Sequence, residues 1–253
     1  MRTSNKLLLA ALGFIIVSLV FYDYQLKAAY EKGDYRDQYR NFVTLNNKDF
    51  DKIELNSSTA VNVMLVKGPF KVMADPNAME YVQVTQHNNT LIINANFKYN
   101  YQNARSDYVL YISCPQLSSL KADARYTANE TEVTDTLAGE DFNWKPTVIK
   151  GFSADSLYIQ EDHASNLRLE DNTIGTLHAI TGISNGSASN LCIAQNNQFI
   201  KTDLDIRNKS RLWIKGKADH DFNYRIADSA KLILNGSAQR GYLKKIKLSV
   251  PWN

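Results

Sequence analysis

Four histidines, His87, His163, His178 and His220, could titrate near neutral pH or ligate a metal. Two of them sit beside carboxylates, in Glu161-Asp162-His163 and Asp219-His220-Asp221. Both runs fall between strand-like segments, where a corner meets solvent. Adjacent strand residues also point to opposite faces, so neither run gathers its own ligands, and no metal site is expected. The carboxylates suited to acid–base work on a polysaccharide are Glu161, Asp162, Glu170, Asp171, Asp203 and Asp205. Asp203-x-Asp205 is the best pair, because period two puts both on one side of a strand. Charges alternating with apolar residues are also what the wet face of a half-buried strand requires, and a solvated outer face is the expectation for these acids. GxSxG, HExxH, P-loop and GxGxxG motifs are absent. No catalytic residue and no cofactor is expected.

Four aromatic residues are outward-facing candidates for stacking on a sugar: Trp144, Tyr158, Trp213 and Tyr242. Trp213 lies between Leu212 and Ile214 and should point away from both. The weak binding candidates are therefore Trp213, Tyr158, Asp203 and Asp205. Cys114 and Cys192 lack a CxxC context and read as two buried small hydrophobes. A disulfide between them stays open, since an envelope compartment can be oxidising.

The elements that must position these residues begin with an apolar helix. Arg2 and Lys6 precede Leu7 to Tyr22, a run without charge. A cleaved signal wants small residues soon after its apolar core, and this chain has Phe21-Tyr22-Asp23-Tyr24 there. An uncleaved signal anchor or transmembrane helix over residues 1–24 is expected, with the basic end inside and the rest exported. No cysteine follows the run, so a lipid anchor on cysteine is not expected. Residues 25–49 read as a juxtamembrane stalk: Tyr30, Tyr35, Tyr39 and Phe42 suit a short amphipathic helix, and a solvated linker suits the charges equally. The 253 residues allow one or two domains. The formal charge of +3, from 29 basic and 26 acidic residues, gives no reason to expect nucleic acid.

From Phe50 onward the pattern is period two: Ile53-x-Leu55, Val61-x-Val63-x-Leu65, Val82-x-Val84, Leu91-x-Ile93. The second half repeats itself. Ala164-Ser165-Asn166-Leu167, Ala188-Ser189-Asn190-Leu191, Lys209-Ser210-Arg211-Leu212 and Ser229-Ala230-Lys231-Leu232 share one shape. A second strand recurs between them, aligned as Leu157-x-Ile159, Leu177-x-Ala179, Leu204-x-Ile206 and Tyr224-x-Ile226. A unit of roughly 20 residues with short strands cannot bury its own apolar face and must stack on its neighbours. The expected fold is all-β, a right-handed β-helix-like solenoid over residues 50–253, its leucines in one column. Small Ser and Ala suit tight corners, and Asn suits the left-handed position there. An antiparallel sandwich competes, with Asn185-Gly186 and Asn235-Gly236 as hairpin turns. Both pairs read Asn-Gly-Ser-Ala, however, which suggests one repeated corner.

Several stretches resemble the auto-transporter adhesin head domain family (the head GIN domain) of bacterial envelope proteins. They are Phe50 to Leu55, Val61-Asn62-Val63, Phe70-Lys71-Val72-x-Ala74-Asp75, Asn88 to Ile93, and Tyr111-Ile112-Ser113-Cys114-Pro115-x-Leu117-x-x-Leu120. The likeness covers residues 50–250 as an order of motifs. The chain departs from the family's Gly-Ser-Gly corners, using Ala-Ser-Asn or Lys-Ser-Arg. The resemblance implies an adhesin-like envelope domain and carries no catalytic residues. The expected function is therefore non-catalytic: membrane-tethered adhesion, glycan or protein binding, or scaffolding. The partner would be an envelope glycan or surface protein, and the location the inner membrane, with the β domain in the periplasm or cell envelope. A carbohydrate-active β-helix enzyme and a structural spacer are the alternatives.

Overall fold

The computed structural model describes residues 3–33, 37–99, 108–136, 145–216 and 223–240. Trp144, Tyr242, His220 with its flanking aspartates, and Tyr35 lie outside the described residues. The chain divides into two compact units, residues 1–42 and 43–253.

In the first unit a single helix, α1 (Thr3–Lys32), runs without a break. Its 30 residues give a rod of about 45 Å at ~1.5 Å per residue. It buries no side chain, and it is long and apolar enough to cross a membrane by length and composition. The helix does not end at Tyr24. It continues through the charged stretch, where Lys27 and Glu31 pair one turn apart at 3.9 Å. Helix-forming Ala28, Ala29, Glu31 and Lys32 favour this continuation.

The second unit is mostly β, and among the described residues its strands form two sheets. The nine-stranded sheet runs β1 (Val43–Leu45), β4 (Lys71–Ala74), β7 (Leu110–Cys114), β3 (Val63–Lys67), β11 (Thr147–Lys150), β13 (Asn166–Glu170), β15 (Asn190–Ile193), β17 (Arg211–Ile214), β19 (Lys231–Leu234). The ten-stranded sheet runs β10 (Thr131–Thr134), β9 (Arg125–Ala128), β6 (Thr90–Phe97), β2 (Lys52–Leu55), β8 (Ser119–Ala122), β12 (Ser153–Glu161), β14 (Thr173–Thr181), β16 (Gln198–Ile206), β18 (Tyr224–Ile226), with β5 (Val82–His87) paired to β6. β1 lies inside the stretch read as stalk, because Val43 to Leu45 pair antiparallel with β4.

From β11 to β19 the chain alternates between the sheets, and each strand pairs in parallel with the next strand of its own sheet. Leu167, Leu191, Leu212 and Leu232 are direct partners along the nine-stranded sheet. A second column runs Leu65, Ile149, Leu169, Ile193, Ile214, Leu234. The first three leucines of the first column are fully buried.

The corners follow residue chemistry. Asp171 and Asn196 take φ of 55° and 67° where the chain leaves the nine-stranded sheet, and Gly151 takes 76° at the equivalent place. His163 and Asn208 take 52° and 53° at the opposite corner. Asn and Asp tolerate this conformation because their short polar side chains bond locally. Ser165, Ser189 and Ser210 are fully buried before their strands. The Ser189 amide donates to Ser210 Oγ at 3.2 Å, and Asn190 Nδ2 donates to Asn166 Oδ1 at 2.9 Å. Asn172 Nδ2 donates to Asn197 Oδ1 at 2.9 Å on the other corner. Neighbouring turns are thus tied together by side chains as well as by ladder bonds.

Two sequence expectations are corrected. Leu204 does not align with Leu157 and Leu177: Leu177 pairs with Thr202, and Leu204 pairs with Ala179. β12, β14 and β16 each carry three inward positions here, and the polar one moves from last (Glu161, Thr181) to first (Thr202). A pattern that counts only apolar pairs slips by one pleat. Asn185-Gly186 and Asn235-Gly236 are not one repeated corner. The first precedes β15 and the second follows β19, so they sit at opposite strand ends. The early strands are also out of chain order: β8 lies between β2 and β12, and β3 lies between β7 and β11. The pair β2 and β3 is thereby enclosed by strands laid down later. The turn at His87-Asn88-Asn89 joins the antiparallel pair β5 and β6, with Asn88 at φ 53°.

Leu191→Ala should cost about 2–5 kcal/mol by emptying a fully buried site. Leu232→Ala, in the same column but only half-buried, should cost less. Denaturant midpoints of the two variants test the order.

Candidate functional site

Tyr158, His178 and Asp203 form one outward row across β12, β14 and β16. The Tyr158 and His178 rings stack with centroids 4.7 Å apart and an interplanar angle of 6°. The parallel register puts them in adjacent strands at identical positions, and the ~4.8 Å strand spacing is itself a stacking distance. His178 Nδ1 lies 3.5 Å from Asp203 Oδ2. The row is exposed, but one face of each ring is covered by the other.

Asp203 and Asp205 do point to the same side of β16, yet they serve different partners. Asp205 Oδ2 accepts from Arg207 Nε at 2.9 Å and Nη2 at 2.5 Å, and Arg225 Nη2 lies 3.7 Å away. Trp213 is on the other sheet. Its indole N–H donates to Asn235 Oδ1 at 3.1 Å, and Lys215 Nζ sits 3.6 Å from the ring centroid. The four weak candidates therefore do not converge on one site.

Glu161-Asp162-His163 is not a solvated corner. Glu161 is fully buried among the inward residues of β12, level with Thr181. Burial pushes its carboxyl well above the usual range, opposed only by the Leu167 amide, which donates to Oε1 at 3.1 Å. Oε2 and Thr181 Oγ1 are buried with no hydrogen-bond partner among the described residues. Burial also pushes the Asp162 carboxyl up, but hydrogen bonds from the Ser184 hydroxyl and amide and the His163 amide outweigh it and hold it low. His163 Nδ1 lies 2.6 Å from Asp123 Oδ1, whose other oxygen is 3.1 Å from Arg125 Nε. A residue 40 positions earlier thus completes this cluster, which no local motif announces. Among the described residues, no group of three or more His, Cys, Asp or Glu could hold a metal.

Glu170 and Asp171 stand at the end of β13. Arg168 Nε is 2.7 Å from Glu170, and Lys150 Nζ is 3.6 Å from Glu170 and 3.2 Å from Asp171. Hydrogen bonds from Asn196 and Lys150 hold the Asp171 carboxyl below the usual range. These carboxylates border a groove of about 420 Å³ shared with Asn196, Lys215, Asn235 and Ser237. A wider groove of about 990 Å³ lies at the starts of β12, β14 and β16 and is lined by Asp155, Ile174, Phe199 and Ile200 among others. Gly175 is required here, because a Cβ would stand 2.5 Å from the Asp155 carbonyl oxygen. The two grooves share Gln195, Asn196 and Ser237. Sequence reasoning missed them. The available signal was the corner Ala194-Gln195-Asn196-Asn197, one residue longer than Glu170-Asp171-Asn172.

The cysteines are both free and buried. They lie on β7 and β15, four strands apart in one sheet, roughly 19 Å at ~4.8 Å per strand. That is far beyond the bonding range of a disulfide. Cys114 joins the core, whereas Cys192 faces outward between Arg168 and Trp213 and is still only 3% exposed.

No family model and no curated protein matches the chain. Solved structures do. A "putative adhesin" from Parabacteroides distasonis superposes with a TM-score of 0.50 at 16% identity, covering 76% of this chain and 73% of its own. A protein of the same description from Bacteroides fragilis gives a TM-score of 0.40 at 12% identity, covering 78% and 98%. A "putative lipid binding protein" from P. distasonis gives 0.35 at 12% identity, covering 78% and 94%. The first likeness concerns the fold alone.

Two outcomes are expected from this chemistry. Burial pushes the Cys114 thiol up to about 12 and raises that of Cys192. Both should resist maleimide at pH 7.5 in the folded chain and react once it is unfolded, with no disulfide by intact mass. Glu161 has a folded pKa above its unfolded value, so folding binds a proton and stability falls as pH rises above the unfolded value. The denaturant midpoint should therefore drop between pH 5 and pH 8, and Glu161→Gln should flatten that drop. An equal drop in the variant would assign it to other groups.

Proposed function

We propose that this chain is a non-catalytic, membrane-tethered protein of the bacterial envelope. Its outer part is a right-handed β-helix-like solenoid of the head GIN type, which binds a glycan or protein partner or acts as a scaffold. The alternating two-sheet path with its in-register leucines supports the solenoid. Right-handedness is the expectation here, because crossovers between parallel strands of one sheet are right-handed in nearly all cases. The anchor reading draws on α1 and the sequence at its start: Arg2 and Lys6 flank the amino end of the apolar run, and aromatics suited to an interface follow it. The fold of the P. distasonis adhesin-like neighbour agrees with an envelope role.

The observation that carries the non-catalytic reading is the state of the carboxylates. An acid catalyst must combine access with a pKa near the working pH. Glu161 has the raised pKa but is sealed in the core. Asp171, Glu170 and Asp205 are reachable but already ion-paired.

Full-length chain in detergent micelles, presented to a glycan array and to envelope extract, should retain ligand and release no cleaved polysaccharide. Turnover would overturn the reading in favour of a β-helix enzyme, and retention of nothing would leave the spacer. In cells, the amino terminus of the exported protein should still contain α1, and a mature chain starting after Tyr24 would refute the anchor.

A further inference from the structure

The two adjoining grooves share a corner and differ in lining. At the nine-stranded end, both carboxylates, Glu170 and Asp171, are already held by Arg168 and Lys150. Lys215 has no carboxylate within ion-pair distance among the described residues, and its recorded neighbour is the Trp213 ring. Past the corner the wall carries the Asp155 carboxylate and four side-chain amides and hydroxyls, Gln195, Gln198, Ser153 and Thr173. None of these four side chains makes a hydrogen bond among the described residues. Beyond them Ile200, on the outer face of β16, is 84% exposed. The backbone beneath is spent on the ladders. The Gln198 amide donates to the Asn172 carbonyl at 2.7 Å, the Ala194 amide to Leu169 at 3.0 Å, and the Lys215 amide to Ile193 at 2.9 Å.

This lining selects among ligands. An extended peptide adds to a sheet through free main-chain groups, and those tested by the ladder here are taken. What remains available is side-chain donors and acceptors, the Asp155 carboxylate among them, one apolar shelf, and the Lys215 cation in the adjoining groove. Hydroxyl groups suit amides and serines because each can both donate and accept. The less polar face of a sugar ring suits an exposed aliphatic side chain. A carboxylate suits Lys215. The groove volumes fall in the range of small-ligand sites.

We propose that the corner groove running from Lys215 past Gln195 to Ile200 binds an acidic oligosaccharide, with Lys215 pairing a uronate carboxylate and Gln195 and Gln198 bonding ring hydroxyls. The proposal rests on the envelope-binding reading and names its ligand class and face. Titration calorimetry on the full-length chain in micelles should use hexagalacturonate, the same oligosaccharide with its carboxyls reduced, and a hexaglutamate peptide. The acidic sugar should bind, the reduced sugar about tenfold more weakly, and the peptide not measurably, as one charge-assisted contact implies. Lys215→Gln should remove that tenfold preference, Lys215→Arg should restore it, and Gln198→Ala should weaken both sugars about equally. Lys121→Gln, an exposed cation on another part of the ten-stranded sheet, should change nothing. Thermal midpoints of all variants control for folding. Equal binding by Lys215→Gln, stronger binding of the peptide, or no binding of the acidic sugar would overturn the proposal. If the chain still captures envelope extract in that last case, the general binding reading survives and only the groove assignment falls.

Discussion

The structure depends on aliphatic side chains lying in register between two sheets. Leu167, Leu191, Leu212 and Leu232 do not merely face inward; each is the direct partner of the next. Their burial stabilises every turn through its neighbours, since a four-residue strand such as β15 or β17 has too little apolar surface to fold alone. The same register carries everything outside the core. It sets Tyr158 over His178, His178 beside Asp203, and Trp213 next to Cys192. Outer-face chemistry in this protein is a consequence of inner-face packing.

Polar residues at the corners fix that register. A column of leucines is self-similar, and a strand could shift along it by one pleat. The buried serines and the asparagine pairs remove that freedom, because their hydrogen bonds exist in one alignment only. Asn172 shows the economy of the arrangement. Its Oδ1 accepts from the Phe152 amide and its Nδ2 donates to the Ile149 carbonyl, so one buried side chain holds two adjacent turns. Glu161 is the exception to full pairing. Its burial beside Thr181 leaves two oxygens without partners among the described residues, and that burial favours the neutral acid over the carboxylate.

Several charges on the outer surface are paired locally. Asp205 with Arg207, and Glu170 and Asp171 with Lys150, are exposed pairs of small energetic weight. They matter more for what they remove from chemistry. Carboxylates already engaged by cations are poor proton donors, and among the described residues Lys215 is a cation of the corner groove without a carboxylate beside it.

The sequence by itself determined a good deal: the period-two strands, the leucine column at steps of roughly 20 residues, the left-handed asparagines at corners, and the apolar amino-terminal helix. Each is written in a local residue pattern and needs only elementary sterics and burial to be read. Within the candidate site, it marked Tyr158, Asp203, Asp205 and Trp213 as outward-facing. It did not reveal that Trp213 stands on a different sheet from the other three, that Asp205 is clamped by Arg207, or that Glu161 faces inward. Only the tertiary structure decided those matters, together with the placement of β8 between β2 and β12. The physical reason is that alternation specifies which face of a strand is buried but not which strand lies alongside it. Partners such as His163 and Asp123, or the walls of the corner groove, come from distant turns brought together by register.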